Sequence, residues 1–210
     1  KELNPYLGWR GIRMCLDKKD IFKAQLEAIM ISSTKKNIKI MLPMISSLDE
    51  VRKTKTLLKE IKKELDGRGV YYDKHIPLGI MIEVPSAVMI ADELAKEVDF
   101  FSIGTNDLIQ YILAVDRGND FISKLYQQFH PAVLRALKQI ADSGKKNNVK
   151  VSICGEMASV PRAVPVLIGL GLEELSVLPS MFTEIKQVVR NTIYSEAKEL
   201  ADNLLTLSTE

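Results

Sequence analysis

The chain has 210 residues, 46% of them hydrophobic, with 29 basic side chains against 27 acidic ones for a formal charge of +2. That is enough chain for a sizeable core, and near-balanced charge with lysines scattered among helical segments argues against the basic stripe of a nucleic-acid binder. Two cysteines, Cys15 and Cys154, are too few for a disulfide framework, and no apolar run approaches the roughly 20 residues that span a bilayer. Nucleic acid and membrane insertion are therefore not expected, and a reducing cytoplasm is.

The chain opens "KELNPYLGWRG", with neither an initiator Met nor the basic-then-apolar layout of a secretory signal, so residue 1 reads as a cut inside a longer protein. "GWRGIR" (8–13) is a possible short strand ahead of a helix from Asp20 to Met30. "IKIML" (38–42) predicts a buried strand. Leu48, Val51, Leu57, Leu58, Ile61 and Leu65 then recur at helical spacing, with Ser47 and Glu50 forming a capping box and Gly67 placed to end the helix. "LGIMIE" (78–83) predicts the next strand, Pro85 to Lys96 a helix, and "FFSIG" (100–104) a third strand running into "TNDLIQY". Pro131 suits the first turn of a helix reaching about Lys145. "VSICG" (151–155) and "LSVL" (175–178) are further strands, and Met181 to Arg190 and Ser195 to Leu205 are closing helices. Strands apolar on both faces imply a parallel sheet covered on both faces.

No solenoid repeat, low-complexity tract or linker divides the chain, so residues 1–210 read as one domain. Five β-then-α units, or six with 8–13, point to a (β/α)8 TIM-type barrel. A complete barrel takes about 250 residues, so this one would be truncated, lacking about its first two βα units. An open doubly wound sheet is the alternative. In either fold ligands gather at the C-terminal ends of the strands.

The polar residues at those ends are the candidates. Glu83 closes the second strand before Val84-Pro85, where the proline keeps the chain extended. Asn106 and Asp107 follow the third strand, Cys154 ends the fourth, and Arg10 ends the presumed first. Two carboxylates from neighbouring strands suit a hard divalent cation such as Mg²⁺, which takes one or two protein carboxylates and fills its octahedron with water and substrate oxygens. Glu83 and Asp107 are that pair. Each residue alone has a plainer reading: Asp107 as a helix N-cap, Glu83 as a charge leaving a strand, Arg10 as a surface salt bridge, Cys154 as a small buried hydrophobe. Arg117 lies among turn residues in "AVDRGND", and His130 before Pro131 is most simply a helix-start residue.

In this order, "NPYLGWRGIR", "IMLPMI", "GIMIEVPSA", "DFFSIGTNDLIQYILAVDRGND" and "ICGEMA" resemble the C-terminal domain of the phosphoenolpyruvate-protein phosphotransferases, enzyme I of the bacterial sugar phosphotransferase system. The resemblance covers essentially the whole chain. Pyruvate phosphate dikinase and phosphoenolpyruvate synthase share the Glu, Asn-Asp and Cys-Gly-Glu elements, but "QYILAVDRGND" favours enzyme I. The resemblance implies Glu83 and Asp107 as Mg²⁺ ligands, and Asn106 with the Asn106-Asp107 backbone as the contact to phosphoenolpyruvate. It implies Arg10 and Arg117 as arginines neutralising phosphate and carboxylate, and Cys154 as the acid that protonates the enolate of pyruvate. It also implies a homodimer, and a preceding N-terminal domain that carries the phosphorylated histidine and docks the histidine phosphocarrier protein. Without that domain and the first barrel strands, with their two further arginines, the chain is expected to turn over nothing on its own.

Ile109 and Ile112 stand where the family often has threonine, and Ser159-Val160 where Gly-Asp is usual. Neither change removes a charged participant. Two other classes compete: an Mg²⁺-dependent aldolase or citrate-lyase-like barrel, which needs no phosphate clamp, and a non-catalytic dimerisation module, which would not need the intact Glu, Asn-Asp, Arg and Cys set.

Overall fold

In the computed structural model, which describes residues 2–209, five parallel strands form one sheet: β1 (Ile40–Leu42), β2 (Leu78–Ile82), β3 (Phe100–Gly104), β4 (Lys150–Cys154) and β5 (Glu174–Leu175). Their spatial order is β1-β2-β3-β4-β5, the order of the chain. A doubly wound sheet reverses its strand order at a switch point, and no reversal occurs here. With every crossover stepping the same way and right-handed, the helices collect on one face and the sheet takes the curl of a barrel. The open doubly wound alternative is therefore wrong.

The helices are α1 (Ile12–Asp17), α2 (Lys19–Ser32), α3 (Leu48–Gly67), α4 (Pro85–Met89), α5 (Ala91–Ala95), α6 (Thr105–Leu113), α7 (Pro131–Asn147), α8 (Val164–Gly169), α9 (Phe182–Asn191) and α10 (Tyr194–Thr206). Local signals explain several boundaries. The Glu50 carboxylate accepts the N–H groups of Ser46 and Ser47 at 2.7 and 2.9 Å, closing the capping box that starts α3. α3 ends on Gly67, as expected, but the left-handed residue that turns the chain is Gly69 at φ 65°. Pro131 opens α7, where the His130 ring accepts the Ala132 N–H at 3.1 Å, so His130 is a helix-start residue in fact. The helix expected from Pro85 to Lys96 is broken at Ile90 into α4 and α5.

Three further expectations fail. Residues 8–13 are not a strand: Gly11 sits at φ 56° and α1 starts directly after it, with Ile12 N–H reaching Pro43 C=O as a single bond alongside the end of β1. "LSVL" supplies only the last residue of a two-residue β5. The strands are also not apolar on both faces. Ile80, Ile82, Phe101, Ile103 and Ile153 are fully buried on the helix side, whereas the opposite, concave face alternates in Met81, Ser102, Gly104, Ser152 and Cys154. Met41 on that face of β1 is 42% exposed. Parallel strands whose second face is small and polar serve a site as well as a core.

Candidate functional site

The register places the chemistry. Gly104 pairs with Cys154 across β3 and β4, and Ile82 pairs with Ile103 across β2 and β3, so Glu83 emerges one residue past its paired strand beside Gly104. Gly104 makes room for it: a Cβ there would lie 2.7 Å from Glu83 Oε2 and 3.0 Å from Glu83 Cβ. The other carboxyl oxygen, Oε1, accepts the Met44 N–H at 2.7 Å. Met44 follows β1 in the left-handed region, φ 57°, a costly conformation for a side chain bearing a Cβ. That twist aims its N–H across β1 to β2.

Glu83 is 5% exposed and Asp107 8%. Burial is the main reason the Glu83 carboxyl is pushed up from 4.5 to about 7; the nearby Asp107 raises it further, while the Met44 N–H and Arg10 pull it down. Asp107 lies inside the first turn of α6 and caps nothing there. Its Oδ2 accepts from Arg10 Nη2 at 3.1 Å, across 97 residues of sequence. The pair is single-handed: Asp107 Oδ1 and Arg10 Nη1 are both buried without a hydrogen-bond partner. Buried polar atoms are almost always satisfied. Here a carboxylate oxygen is free to accept a hydrogen bond or a cation, and a guanidinium nitrogen to donate to an anion or a water.

Among the described residues no cluster of three or more His, Cys, Asp or Glu side chains gathers for a metal. The two carboxylates supply the oxygen donors of a Mg²⁺ site that leaves most positions to water and ligand, and the unsatisfied Oδ1 fits that donor set. Arg10 reaches the site from the loop before α1, not from a strand end; the Tyr6 ring lies 5.7 Å below its guanidinium.

Asn106 precedes Asp107 in α6. Its Oδ1 accepts the Glu156 N–H at 3.0 Å, which orients the amide and leaves its NH2 as the group able to donate elsewhere. Gly155 makes this approach possible. It sits at φ 95°, and a Cβ there would strike Thr105 Oγ1 and come within 2.9 Å of Asn106 Oδ1. Thr105 Oγ1 in turn donates to the Cys154 carbonyl at 2.8 Å, so the end of β4 and the start of α6 are stitched twice. The Cys154 thiol, half-buried on the concave face, donates to the Ile103 carbonyl at 3.3 Å and accepts from Ser102 Oγ at 3.6 Å. It is a thiol at the mouth, not a sealed core residue. Arg117 rides on the loop after α6 and pairs with Glu156 at 3.5 Å.

Glu83, Asp107 and Arg10 thus meet directly, Asn106 adjoins them in α6, and Arg117 reaches the same mouth through Glu156. Met44 was not singled out in the sequence because it acts through a main-chain N–H group, which side-chain chemistry does not advertise; Glu156 stood out only as part of the Cys-Gly-Glu element, not for its N–H bond to Asn106 or its pairing with Arg117. Only the position of Glu156 right after a strand-ending Cys-Gly hints at these contacts.

Two buried carboxylates, with Arg10 on one of them and Arg117 nearby, thus lie at the mouth of a barrel-type sheet. The chain belongs to the family described as PEP-utilising enzyme, PEP-binding domain, which it matches over residues 1–194. It is similar to the phosphoenolpyruvate-protein phosphotransferase of Haemophilus influenzae, 47% identical over 205 residues that make up 98% of this chain and 36% of that protein. The phosphoenolpyruvate-protein phosphotransferase of Bacillus subtilis is 44% identical over 209 residues, 100% of this chain and 37% of that protein. The chain therefore spans little more than a third of the length of these relatives. Among solved structures, a citrate lyase from Burkholderia xenovorans LB400 superposes with a TM-score of 0.55 and 17% identity, over 80% of this chain and 53% of its own, which is a likeness of fold.

Proposed function

We propose that this chain is the phosphoenolpyruvate-binding part of a phosphoenolpyruvate-protein phosphotransferase. It would hold phosphoenolpyruvate while the phosphoryl group passes to a histidine elsewhere in the protein, and on to the histidine phosphocarrier protein for sugar uptake. The carrying observation is the single-handed Arg10–Asp107 pair beside buried Glu83, with Asp107 Oδ1 and Arg10 Nη1 both unpaired. The relatives' names support the enzyme I reading over the dikinase, synthase and lyase readings.

Mg²⁺ held by Glu83 and Asp107 would neutralise charge on the transferring phosphoryl group and on the oxygen it leaves. Arg10 and Arg117 bind the phosphate and carboxylate, and the Asn106 NH2 donates to a substrate oxygen. When the P–O bond breaks, its electrons stay on the enol oxygen. Collapse of that charge through the double bond takes the proton of the Cys154 thiol onto carbon, giving the methyl of pyruvate, and the thiolate recovers its proton from solvent. What supports this role is the placement of the thiol at the end of β4, within 3.3 Å of the Ile103 carbonyl and on the concave face that carries Glu83.

The reverse of that proton transfer needs no phosphoryl acceptor. With Mg²⁺, the full-length protein is expected to exchange the methyl protons of pyruvate for deuterium from solvent even without the phosphocarrier, and Cys154→Ala to slow this by about 10²-fold or more, the usual worth of a positioned general acid. Exchange at equal rates in both proteins, followed by proton NMR, would remove Cys154 from its role. A cytoplasmic homodimer belongs to the same reading; a clean monomer in sedimentation at tens of micromolar would contradict the dimer. Among the described residues no helix is long and apolar enough to cross a membrane.

A further inference from the structure

The loop from 114 to 130 carries Arg117 and has only one short helical turn, Ser123–Leu125. Its tip, including Arg117 and Phe121, is exposed. A long irregular loop holds an arginine in a useful place only where something fastens it. Three fastenings are visible. At its start, Ala114 turns left-handed at φ 52°, and the N–H of Arg117 itself donates to the side-chain oxygen of buried Gln110 at 3.2 Å. At its end, the Arg162 guanidinium stacks 4.9 Å from the Phe129 ring. Between them, the Tyr126 ring packs against the core while its hydroxyl donates to the Asn106 carbonyl at 3.3 Å.

The third fastening is the one that joins the loop to the site. Asn106 is the residue whose amide is proposed to contact the ligand, and its carbonyl lies in the first turn of α6, next to Asp107. Burial pushes the Tyr126 hydroxyl up to about 12, with Arg117, Glu156 and Asp107 among the charges it feels. It is therefore a proton donor at any working pH, and it stands amid the site's charged groups.

We infer that Tyr126 is a positioning residue: its hydroxyl ties the loop bearing Arg117 to the first turn of α6, and so sets Arg117 against the same ligand that Asn106 contacts. This rests on the reading of Arg117 as a ligand arginine. Nothing in the sequence marked Tyr126, because the tyrosine stands 20 residues from Asn106 with a helix end and a loop between.

Tyr126→Phe removes only the hydroxyl and keeps the packed ring, so the fold should survive. Two measurements on the 210-residue chain are decisive together. In amide hydrogen exchange, the variant is expected to exchange several-fold faster at Arg117 and its loop neighbours, with α7 unchanged. In calorimetric titration with phosphoenolpyruvate and Mg²⁺, Tyr126→Phe is expected to weaken binding about 3- to 10-fold, the scale of one neutral hydrogen bond. Placed in an Arg117→Ala background it should cost nothing further, because the loop then carries no cation to position. A merely structural tyrosine would give additive losses. Unchanged exchange across the loop, or the same loss with and without Arg117, would overturn the inference. If the unaltered chain binds no phosphoenolpyruvate while the variant's loop exchanges faster, the proposed function falls and the fastening stands.

Discussion

Asp107→Ala is expected to abolish the stabilisation that Mg²⁺ and phosphoenolpyruvate together give the chain. A ligand present at about 100 times its dissociation constant raises stability by about 2.7 kcal/mol, and the variant should show none of it in a thermal melt. The reason lies in what Asp107 does with two oxygens. One accepts from Arg10 and the other is buried and unpaired. Alanine removes both the donor for the cation and the partner that holds Arg10 in place. Arg10 is partly exposed, its side chain at 36%, so water can take over much of its lost bond and the ligand-free fold should lose only about 1 kcal/mol. Asp107→Asn separates the two effects. It retains an acceptor for Arg10 but not the charge, so it should melt near the unaltered chain and still fail to respond to Mg²⁺. A full response in either variant would take Asp107 out of the metal site.

Glu83→Gln is expected to move stability the opposite way. The Glu83 carboxyl is held near 7 in the folded chain against 4.5 as its ordinary value, chiefly by burial. The folded state thus binds the proton more tightly than the unfolded state, and stability falls as pH rises from about 4.5 through 7, with the loss complete above that. Its full size is on the order of 3 kcal/mol, at 1.36 kcal/mol per pH unit. Glutamine carries no charge to bury, keeps an acceptor for the Met44 N–H, and offers an NH2 toward Asp107, whose Oδ1 lacks a partner. Without Mg²⁺ at pH 8 the variant should therefore be more stable than the unaltered chain, and the two should converge near pH 4.5. Added Mg²⁺ should stabilise the unaltered chain and leave the variant unmoved. A variant less stable at pH 8, or one that still answers to Mg²⁺, would show that the buried carboxylate is not kept for a cation. Such a cost of burial is what a site optimised for binding, not for stability, would show.

How far the sequence discloses this arrangement depends on the range of each interaction. Ser47 with Glu50, and His130 with Pro131, are local devices, and they appear in the structure where their residues predict them. Glu83, Asp107 and Cys154 were legible because strand ends are where barrel-type sheets put ligands, and an apolar run makes its own end visible. Arg10 lies beside Asp107 but not at the end of a strand. Its segment pairs with no strand, and a loop turned by Gly11 delivers it to Asp107 instead. The break at Ile90 escaped notice because apolar spacing continues across it. The concave face was misread because Met81 and Gly104 score as apolar while lying beside Glu83. Met44 and Tyr126 stayed invisible because main-chain donors and contacts between distant loops have no signature in residue type.

The measurement that tests phosphoenolpyruvate binding most directly is a calorimetric titration of the 210-residue chain with phosphoenolpyruvate, once with Mg²⁺ and once with a chelator in its place. Saturable binding at one site per chain with Mg²⁺, lost or greatly weakened in the chelator, is the predicted result. Binding of equal strength in both, or none in either, would contradict it.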